Sequence, residues 1–334
     1  MFVLGIESSC DETAASVVED GVSVRSCVTA SSLRHHARYG GIIPEIASRA
    51  QLEYISCVVD EALKRAGVPL EKIGLIAVTK GPGLIGSLLV GISFAKALSY
   101  SRGIALIGVD HVQAHAYAPL LNQKRKAVPR FPWIGLVVSG GHTCLFHYKG
   151  FSSFRILGET LDDAAGEAFD KVGKILGLAY PGGPAIEQCA KKGNPDAYRF
   201  SCGAPEESTF SFSGIKTAVL YAARDKEKKK GALSQKEKQD LAASFQAAVV
   251  RSLVDKTMYA LARRKIKTLL VGGGVVANAL FRAQLLHEAN ERGISVFIPD
   301  KDLCTDNAPM VAGLGYQLYR AGKRSRLNFK PRLY

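Results

Sequence analysis

Acidic side chains are scarce in this chain of 334 residues: 30 aspartates and glutamates face 44 lysines and arginines, a formal net charge of +14. That excess favours a polyanionic partner such as RNA, with a generic basic surface as the alternative. The seven cysteines (Cys10, Cys27, Cys57, Cys144, Cys189, Cys202 and Cys304) include no Cys-x-x-Cys pair. An odd, widely spaced set suits neither a disulfide framework nor a zinc knuckle, so a reduced, cytoplasmic setting is expected. No apolar run is long enough for a bilayer. The longest, Leu84 to Leu98, carries Lys96 and reads as a buried helix. The chain opens on the strand-like Phe2-Val3-Leu4-Gly5-Ile6, with no basic leader and no transit peptide. Also missing are a Gly-x-x-x-x-Gly-Lys-Ser/Thr loop and a Gly-x-Gly-x-x-Gly after the first strand, which argues against P-loop and dinucleotide sites.

What is present suits a soluble two-domain protein. Hydrophobic residues make up 47% and charged residues 22%, enough for a sizeable core. A strand, polar loop, strand and turn run from Phe2 through Glu7–Thr13 and Ala14–Val18 to Asp20-Gly21. The pattern recurs from Trp133–Val138 through Ser139–Thr143 and Cys144–Tyr148 to Lys149-Gly150. Two copies of one unit suggest two related halves. Helices are expected near Arg49–Ala66, Thr160–Leu176, Gly183–Lys192, Gln235–Arg264, from Asn278, and over Ala308–Arg320. Strands are expected near Leu75–Val78, Ala105–Val109 and Leu269–Val271. Asn122–Pro132 reads as a basic connection, and Lys226–Lys230 as a solvated loop, with contact to RNA phosphates as the alternative. Strands alternating with helices give an α/β fold. Trp133 is expected in the core, and His35 and His36 in a surface loop.

His111 and His115 stand four apart, so a helix would place both imidazoles on one face. Asp306 in Thr305-Asp306-Asn307 offers a third ligand. Two histidines and a carboxylate suit Zn²⁺ or Fe²⁺ with positions left open, and the alternative is an ordinary helix face. Three small-residue loops, Glu7–Thr13, Ser139–Thr143 and Gly272–Asn278, each follow an apolar strand and let backbone amides approach an anion. Glu7, Asp11 and Glu12 would repel a bare phosphate, so the first loop works through a cation, water or an amine-bearing substrate.

Motifs along nearly the whole chain resemble the universal tRNA N6-adenosine threonylcarbamoyltransferase family. They are Gly5-Ile6-Glu7-Ser8-Ser9-Cys10-Asp11-Glu12-Thr13, His111-x-x-x-His115, Val138-Ser139-Gly140-Gly141-His142-Thr143, Asp162–Lys171, Tyr180–Pro184, Phe212–Thr217, Gly272–Asn278 and Cys304–Asn307. Gly40–Arg49 resembles the bacterial-type branch, which often has His where this chain has Gln51 and Asn where it has Asp110. The resemblance implies a two-lobed actin-like fold of the sugar-kinase and Hsp70 type with duplicated domains. The expected lobes are 1–110 with 305–334, and 111–304, the second carrying the histidine helix at the cleft. It implies transfer of threonylcarbamoyl from threonylcarbamoyl-AMP to N6 of the adenosine 3′ of the anticodon, in tRNAs reading codons that begin with A.

By the same resemblance, His111, His115 and Asp306 match the ligands of one divalent ion, Fe²⁺ or Zn²⁺. Val138, Ser139, Gly140, Gly141, His142, Asp170, Gly183, Glu187 and Asn278 match positions that hold the acyl-adenylate or an adenine nucleotide. The residues themselves make Glu12 or Asp11 a candidate acceptor of the N6 proton, Lys216 a candidate phosphate or tRNA contact, and His142 either a ligand or a support for its loop. The implied partners are tRNA, a truncated paralogue subunit, a small ATPase and a separate threonylcarbamoyl-AMP synthase, with the apolar helices of the N-terminal lobe as the expected heterodimer surface. The competing classes are an ATP-dependent small-molecule phosphotransferase of the same fold, a non-catalytic nucleotide-binding scaffold and a metalloprotease. The last needs His-Glu-x-x-His, and Val112 occupies the place of that glutamate.

Overall fold

The computed structural model describes residues 1–36, 41–122, 128–203 and 208–332, with the side chains of 229 and 230 left aside. Two compact units form. The first comprises Met1–Arg130, Gly150–Ser153 and Ile298–Tyr334; the second comprises Phe131–Lys149 and Phe154–Phe297.

The first unit is built on a five-stranded sheet in the order β3-β2-β1-β4-β5. Its strands are β1 (Phe2–Glu7), β2 (Glu12–Glu19), β3 (Ser23–Ser31), β4 (Ile73–Gly81) and β5 (Ala105–Asp110). β1 pairs antiparallel with β2, from Phe2 opposite Glu19 to Glu7 opposite Ala14, and parallel with β4. The helices are α1 (Leu33–His36), α2 (Pro44–Ala66), α3 (Ile85–Arg102), α4 (His111–Tyr117) and, from the far end of the chain, α10 (Ala308–Arg320). α2 begins at a proline, whose missing amide costs nothing at a helix start, and ends at Gly67 in the left-handed region. Leu4, Ile6, Ile55, Val59, Ile76, Leu88 and Ile92 form the core between the sheet and α2 and α3. On the other face α10 lies against β1. A Cβ on Gly5 would stand 2.4 Å from the Ala308 carbonyl oxygen, and one on Gly313 would stand 2.4 Å from the Tyr117 ring. Glycine at these two positions lets α10 sit directly on the sheet and on α4.

The second unit repeats the plan with the order β10-β9-β6-β7-β8. Its strands are β6 (Trp133–Val138), β7 (Thr143–Gly150), β8 (Ser153–Glu159), β9 (Thr268–Gly272) and β10 (Ser295–Phe297). β6 pairs antiparallel with β7 and parallel with β9, as β1 does with β2 and β4. The helices are α5 (Ala165–Ile175), α6 (Gly182–Ala190), α7 (Ser213–Lys230), α8 (Gln235–Arg264) and α9 (Ala279–Glu291). The repeated hairpin is therefore a repeated sheet. Trp133 is buried, and all seven cysteines are free thiols. Among the described residues no helix is long and apolar enough to cross a membrane.

Four expectations change. The first unit continues through Arg130, so the histidine helix belongs to it and not to the second lobe; α4 follows β5 directly and packs on α10. Lys226–Lys230 is the last stretch of α7, because Ile215, Val219 and Ala223 recur at helical spacing and are buried. The helix expected from Thr160 starts at Ala165. Its would-be first turn is held outside the helix, with the Thr160 amide donating to Thr143 O and Thr160 bridging to Phe210. His36 is 1% exposed, with Nε2 3.0 Å from Ser32 Oγ and Nδ1 accepting from the Ile43 amide at 3.2 Å. Most of the basic stretch in Asn122–Pro132 lies outside the described residues.

Candidate metal centre and nucleotide loops

Three of the first unit's parallel strands end side by side, and the site is assembled just past their carboxyl ends, where α/β sheets collect ligands. β5 runs straight into α4. Asp110 caps that helix, its carboxylate accepting from the Gln113 amide at 3.0 Å. The first and fifth residues of α4 are His111 and His115, with ring centroids 4.7 Å apart. Asp306 comes from the turn before α10. Asn307 shapes that turn, accepting from the Met310 amide and donating to the carbonyls of Leu303 and Thr305. Asp306 Oδ1 lies 3.0 Å from His115 Nε2 and 3.5 Å from His111 Nε2. One ligand atom from each of the three falls within 4.8 Å of the others.

Behind the trio is Glu7, the last residue of β1 and 1% exposed. Its Oε1 accepts from the Ser9 amide at 2.6 Å. Its Oε2 accepts from Thr79 Oγ1 at 2.6 Å and lies 3.0 Å from His111 Nδ1. Glu7 on Nδ1 leaves Nε2 turned towards Asp306, and a carboxylate in that place is the usual outer partner of a histidine that holds a metal. Burial would raise the Glu7 carboxyl, but the facing His111 and the Thr79 hydroxyl outweigh it and hold the group below its ordinary value. Burial would likewise raise Asp306, and His111 and His115 hold it well below the usual range. Burial would lower His111, yet Asp306 and Glu7 raise it well above its ordinary value. A cation is thus favoured between these carboxylates. Two imidazole nitrogens and a carboxylate oxygen converging on one point, backed by an orienting carboxylate, fit a divalent ion.

The loop from Ser8 to Glu12 is pinned on several sides. Gln51 Nε2 donates to the carbonyls of Cys10 and Glu12, Ser87 Oγ donates to Cys10 O, and Ser32 Oγ donates to Asp11 O. Burial raises Asp11. Burial, with Asp306, Asp11 and Glu7 adding negative charge, pushes the Glu12 carboxyl up to about 8. Glu12 Oε2 is buried without a hydrogen-bond partner.

The second unit gathers the other expected residues. Ser139 to His142 close a turn between β6 and β7: the Ser139 amide donates to His142 O, and the His142 amide donates to Ser139 Oγ. Gly140 and Gly141 are exposed, with open space where a Cβ would stand. Gly273, at φ 99°, lies so close to the Val138 carbonyl that a Cβ would stand 2.3 Å away, so the glycine turn after β9 packs against the last residue of β6. Asp170 accepts from the Gly182 amide at 2.6 Å. Burial raises its carboxyl, and the Gly182 and Gly183 amides partly offset this. Glu187 accepts from the Ala279 amide. The Asn278 side chain caps α9, accepting from the Phe281 amide, and donates to Gln246. Lys216 is engaged with Asp163 at 2.9 Å, while Asp162 accepts from Ser211, Phe212 and Ser213, so two motifs far apart in sequence form one cluster.

Comparison with known proteins decides the family. A family described as TsaD: tRNA N6-adenosine threonylcarbamoyltransferase matches residues 23–313. The tRNA N6-adenosine threonylcarbamoyltransferase of Syntrophus aciditrophicus is 48% identical over 98% of this chain and 95% of its own length. The protein of the same name from Symbiobacterium thermophilum is 49% identical over 98% and 94%. This chain belongs to the tRNA N6-adenosine threonylcarbamoyltransferase family.

Its activity is transfer of threonylcarbamoyl to N6 of a tRNA adenosine, and its macromolecular substrate is tRNA. Family membership supports that reading and not a phosphotransferase or a protease. Solved structures show the fold alone. Full-length HypF superposes with a TM-score of 0.61 at 14% identity, over 97% of this chain and 56% of that one. Component A of the Acidaminococcus fermentans (R)-2-hydroxyglutaryl-CoA dehydratase gives 0.53 at 15%, over 97% and 100%. The shared fold is the α/β actin-like class, in which each of this chain's two units is built on a five-stranded sheet of the same plan. Within the threonylcarbamoyltransferase pattern, Gln51 is buried and holds the first loop, and Asp110 still caps α4. Sequence reasoning missed Glu7 as the orienter of His111, with Thr79 and Ser9 as its donors. A lone carboxylate ending an otherwise apolar strand was the available signal.

Proposed function

We propose that His111, His115 and Asp306 hold one divalent ion, Fe²⁺ or Zn²⁺, and that transfer of threonylcarbamoyl to tRNA takes place beside it. The single observation carrying this reading is the convergence of both Nε2 atoms on Asp306 Oδ1, with Glu7 behind His111. When bound, the ion supplies a Lewis acid with open positions for the threonylcarbamoyl group. The donor is a mixed anhydride with a good leaving group, so the protein has to position it, exclude water and present a weakly nucleophilic amine. Glu7 fixes the His111 tautomer. Glu12 accepts the N6 proton: burial beside Asp306, Asp11 and Glu7 raises its carboxyl, so its ionised form is a stronger base than that of an ordinary glutamate, and Asp11 is the alternative acceptor. In the second unit the Ser139 and His142 amides are used within their turn, so Gly140 and Gly141 are assigned the phosphate and oxyanion. His142 and Val138 shape that loop. Asp170, Gly183, Glu187 and Asn278 are assigned the adenosine part of the donor, and Lys216 contacts phosphate only by leaving Asp163.

Further partners belong to the same reading: a separate enzyme makes threonylcarbamoyl-AMP, a truncated paralogue pairs with this chain, and a small ATPase drives turnover. Leu52 on α2 and Ile85 and Leu89 on α3 are 68%, 46% and 46% exposed, an apolar set suited to the paralogue. The setting is cytoplasmic, where tRNA is the substrate. The test combines purified protein and partners with labelled threonylcarbamoyl-AMP and tRNA, followed by nucleoside analysis. Chelation is expected to abolish product, and Fe²⁺ or Zn²⁺ to restore it. Undiminished transfer by fully metal-free protein overturns the assignment.

A further inference from the structure

From Asn307 to the end of the chain there is no acidic residue, while Arg320, Lys323, Arg324, Arg326, Lys330 and Arg332 contribute six cations. A run of this kind is usually a solvated tail, but here the main chain is strapped to the sheet. The Ser325 amide donates to Leu106 O at 3.0 Å, and the Gly108 amide donates to Ser325 Oγ at 2.9 Å. Lys96 Nζ donates to Phe329 O at 2.6 Å and lies 4.7 Å from the centre of the Phe329 ring. The Arg332 amide donates to Lys80 O at 2.6 Å. Gly81, at φ 134°, makes room for that end: a Cβ there would stand 1.8 Å from Arg332 O. Anchored in this way, Lys323, Arg324, Arg326, Lys330 and Arg332 are all exposed.

The strap also has a destination. Arg332 Nη1 lies 3.5 Å from Asp110 Oδ2, and Asp110 is the cap of the helix that begins with His111. A row of exposed cations on a fixed frame therefore leads from the end of α10 to the N-terminus of the histidine helix. Exposed cations on an anchored main chain, in a run of sequence without an acidic residue, suit a phosphate backbone, and their position suits one whose base must reach the candidate metal centre.

We propose that the strap from Lys323 to Arg332 is a docking surface for the phosphate backbone of the tRNA substrate, an inference that rests on the proposed reaction at the neighbouring metal centre. Backbone contacts of this type position the nucleic acid and act on its affinity more than on the chemical step.

The test is the triple variant Lys323→Ala, Arg326→Ala and Lys330→Ala in the full chain with its partners, assayed for transfer and for tRNA binding over a range of salt. The expected result is a KM for tRNA raised about 10-fold or more, with kcat at saturating tRNA unchanged. The slope of log affinity against log salt falls by about two to three, as three lost phosphate contacts require. The charge-keeping variant Lys323→Arg, Arg326→Lys and Lys330→Arg is expected to bind as the wild type does. An unchanged KM and salt slope in the alanine variant overturns the inference. So does an equal loss in the charge-keeping variant, or in a control removing Lys228, Lys236 and Lys265 from the second unit, since the effect would then be structural or due to net charge. Wild-type protein that makes no product would count against the proposed reaction, whereas a wild type that works and a strap variant that matches it counts against the strap alone.

Discussion

Replacing Glu7 with glutamine keeps the size of the side chain and removes one acceptor at a fully buried junction. The carboxylate faces three groups: the Ser9 amide at 2.6 Å, Thr79 Oγ1 at 2.6 Å and His111 Nδ1 at 3.0 Å. An amide has one oxygen and one donor NH₂. If the oxygen faces His111 and Thr79, the NH₂ meets the Ser9 amide, donor against donor. If the amide is turned round, the NH₂ faces His111 Nδ1, and the imidazole must place its proton on Nε2, the nitrogen needed for the ion. The first arrangement leaves a buried donor unsatisfied, at a cost of about 1–3 kcal/mol. The second disables a ligand, and loss of such an outer partner typically weakens metal affinity about 10–100-fold. Glu7→Gln is therefore expected to bind Zn²⁺ or Fe²⁺ about 10–100-fold more weakly in a chelator competition, and to melt lower. Thr79→Val, which removes only one donor to the same carboxylate, should lie between it and the wild type. Metal affinity equal to wild type in Glu7→Gln would refute the claim that this carboxylate sets the His111 tautomer.

Other outcomes follow from the same geometry. Glu12 has a folded value of about 8 against 4.5 for an unperturbed group. The folded state thus holds its proton more tightly, so metal-free protein loses stability from this group as pH rises from about 4.5 to 8, by at most about 5 kcal/mol. Denaturant unfolding of Glu12→Gln should show a gain over wild type that is largest above pH 8 and fades towards pH 5; a gain independent of pH contradicts the buried-carboxyl account. Gly5→Ala forces a Cβ to within 2.4 Å of Ala308 O, so α10 must shift, with a loss of about 1–3 kcal/mol and weaker metal binding through Asp306; unchanged melting and metal affinity argue against the tight seat of α10. Asp110→Ala removes the cap of α4 and should lower stability by about 1 kcal/mol, measured by chemical denaturation.

The duplicated architecture was legible because apolar strand, polar loop and apolar strand recur with one spacing, and the same five-stranded order appears in both units. α8 and α10 match their expected spans because long periodic segments with clear ends specify themselves. The expected lobe boundary placed the histidine helix in the second lobe, whereas β5 runs into α4 without a break and α4 packs on α10, a contact between residues nearly two hundred positions apart that no local pattern carries. The lysine-rich end of α7 read as a loop because its charges obscured an apolar row one turn earlier. At the candidate metal centre the helical spacing of His111 and His115 marked two imidazoles that the structure brings together with Asp306. The role of Glu7 depends on β1 and β5 being separated in the sheet only by β4, which carries Thr79 between them.

The most direct test of the metal-centred account is His115→Ala in a transfer assay with defined metal, threonylcarbamoyl-AMP and tRNA, scored by nucleoside analysis alongside thermal melting. The account predicts that the modified nucleoside disappears while the protein still unfolds cooperatively. Near wild-type product from a folded His115→Ala protein would contradict it.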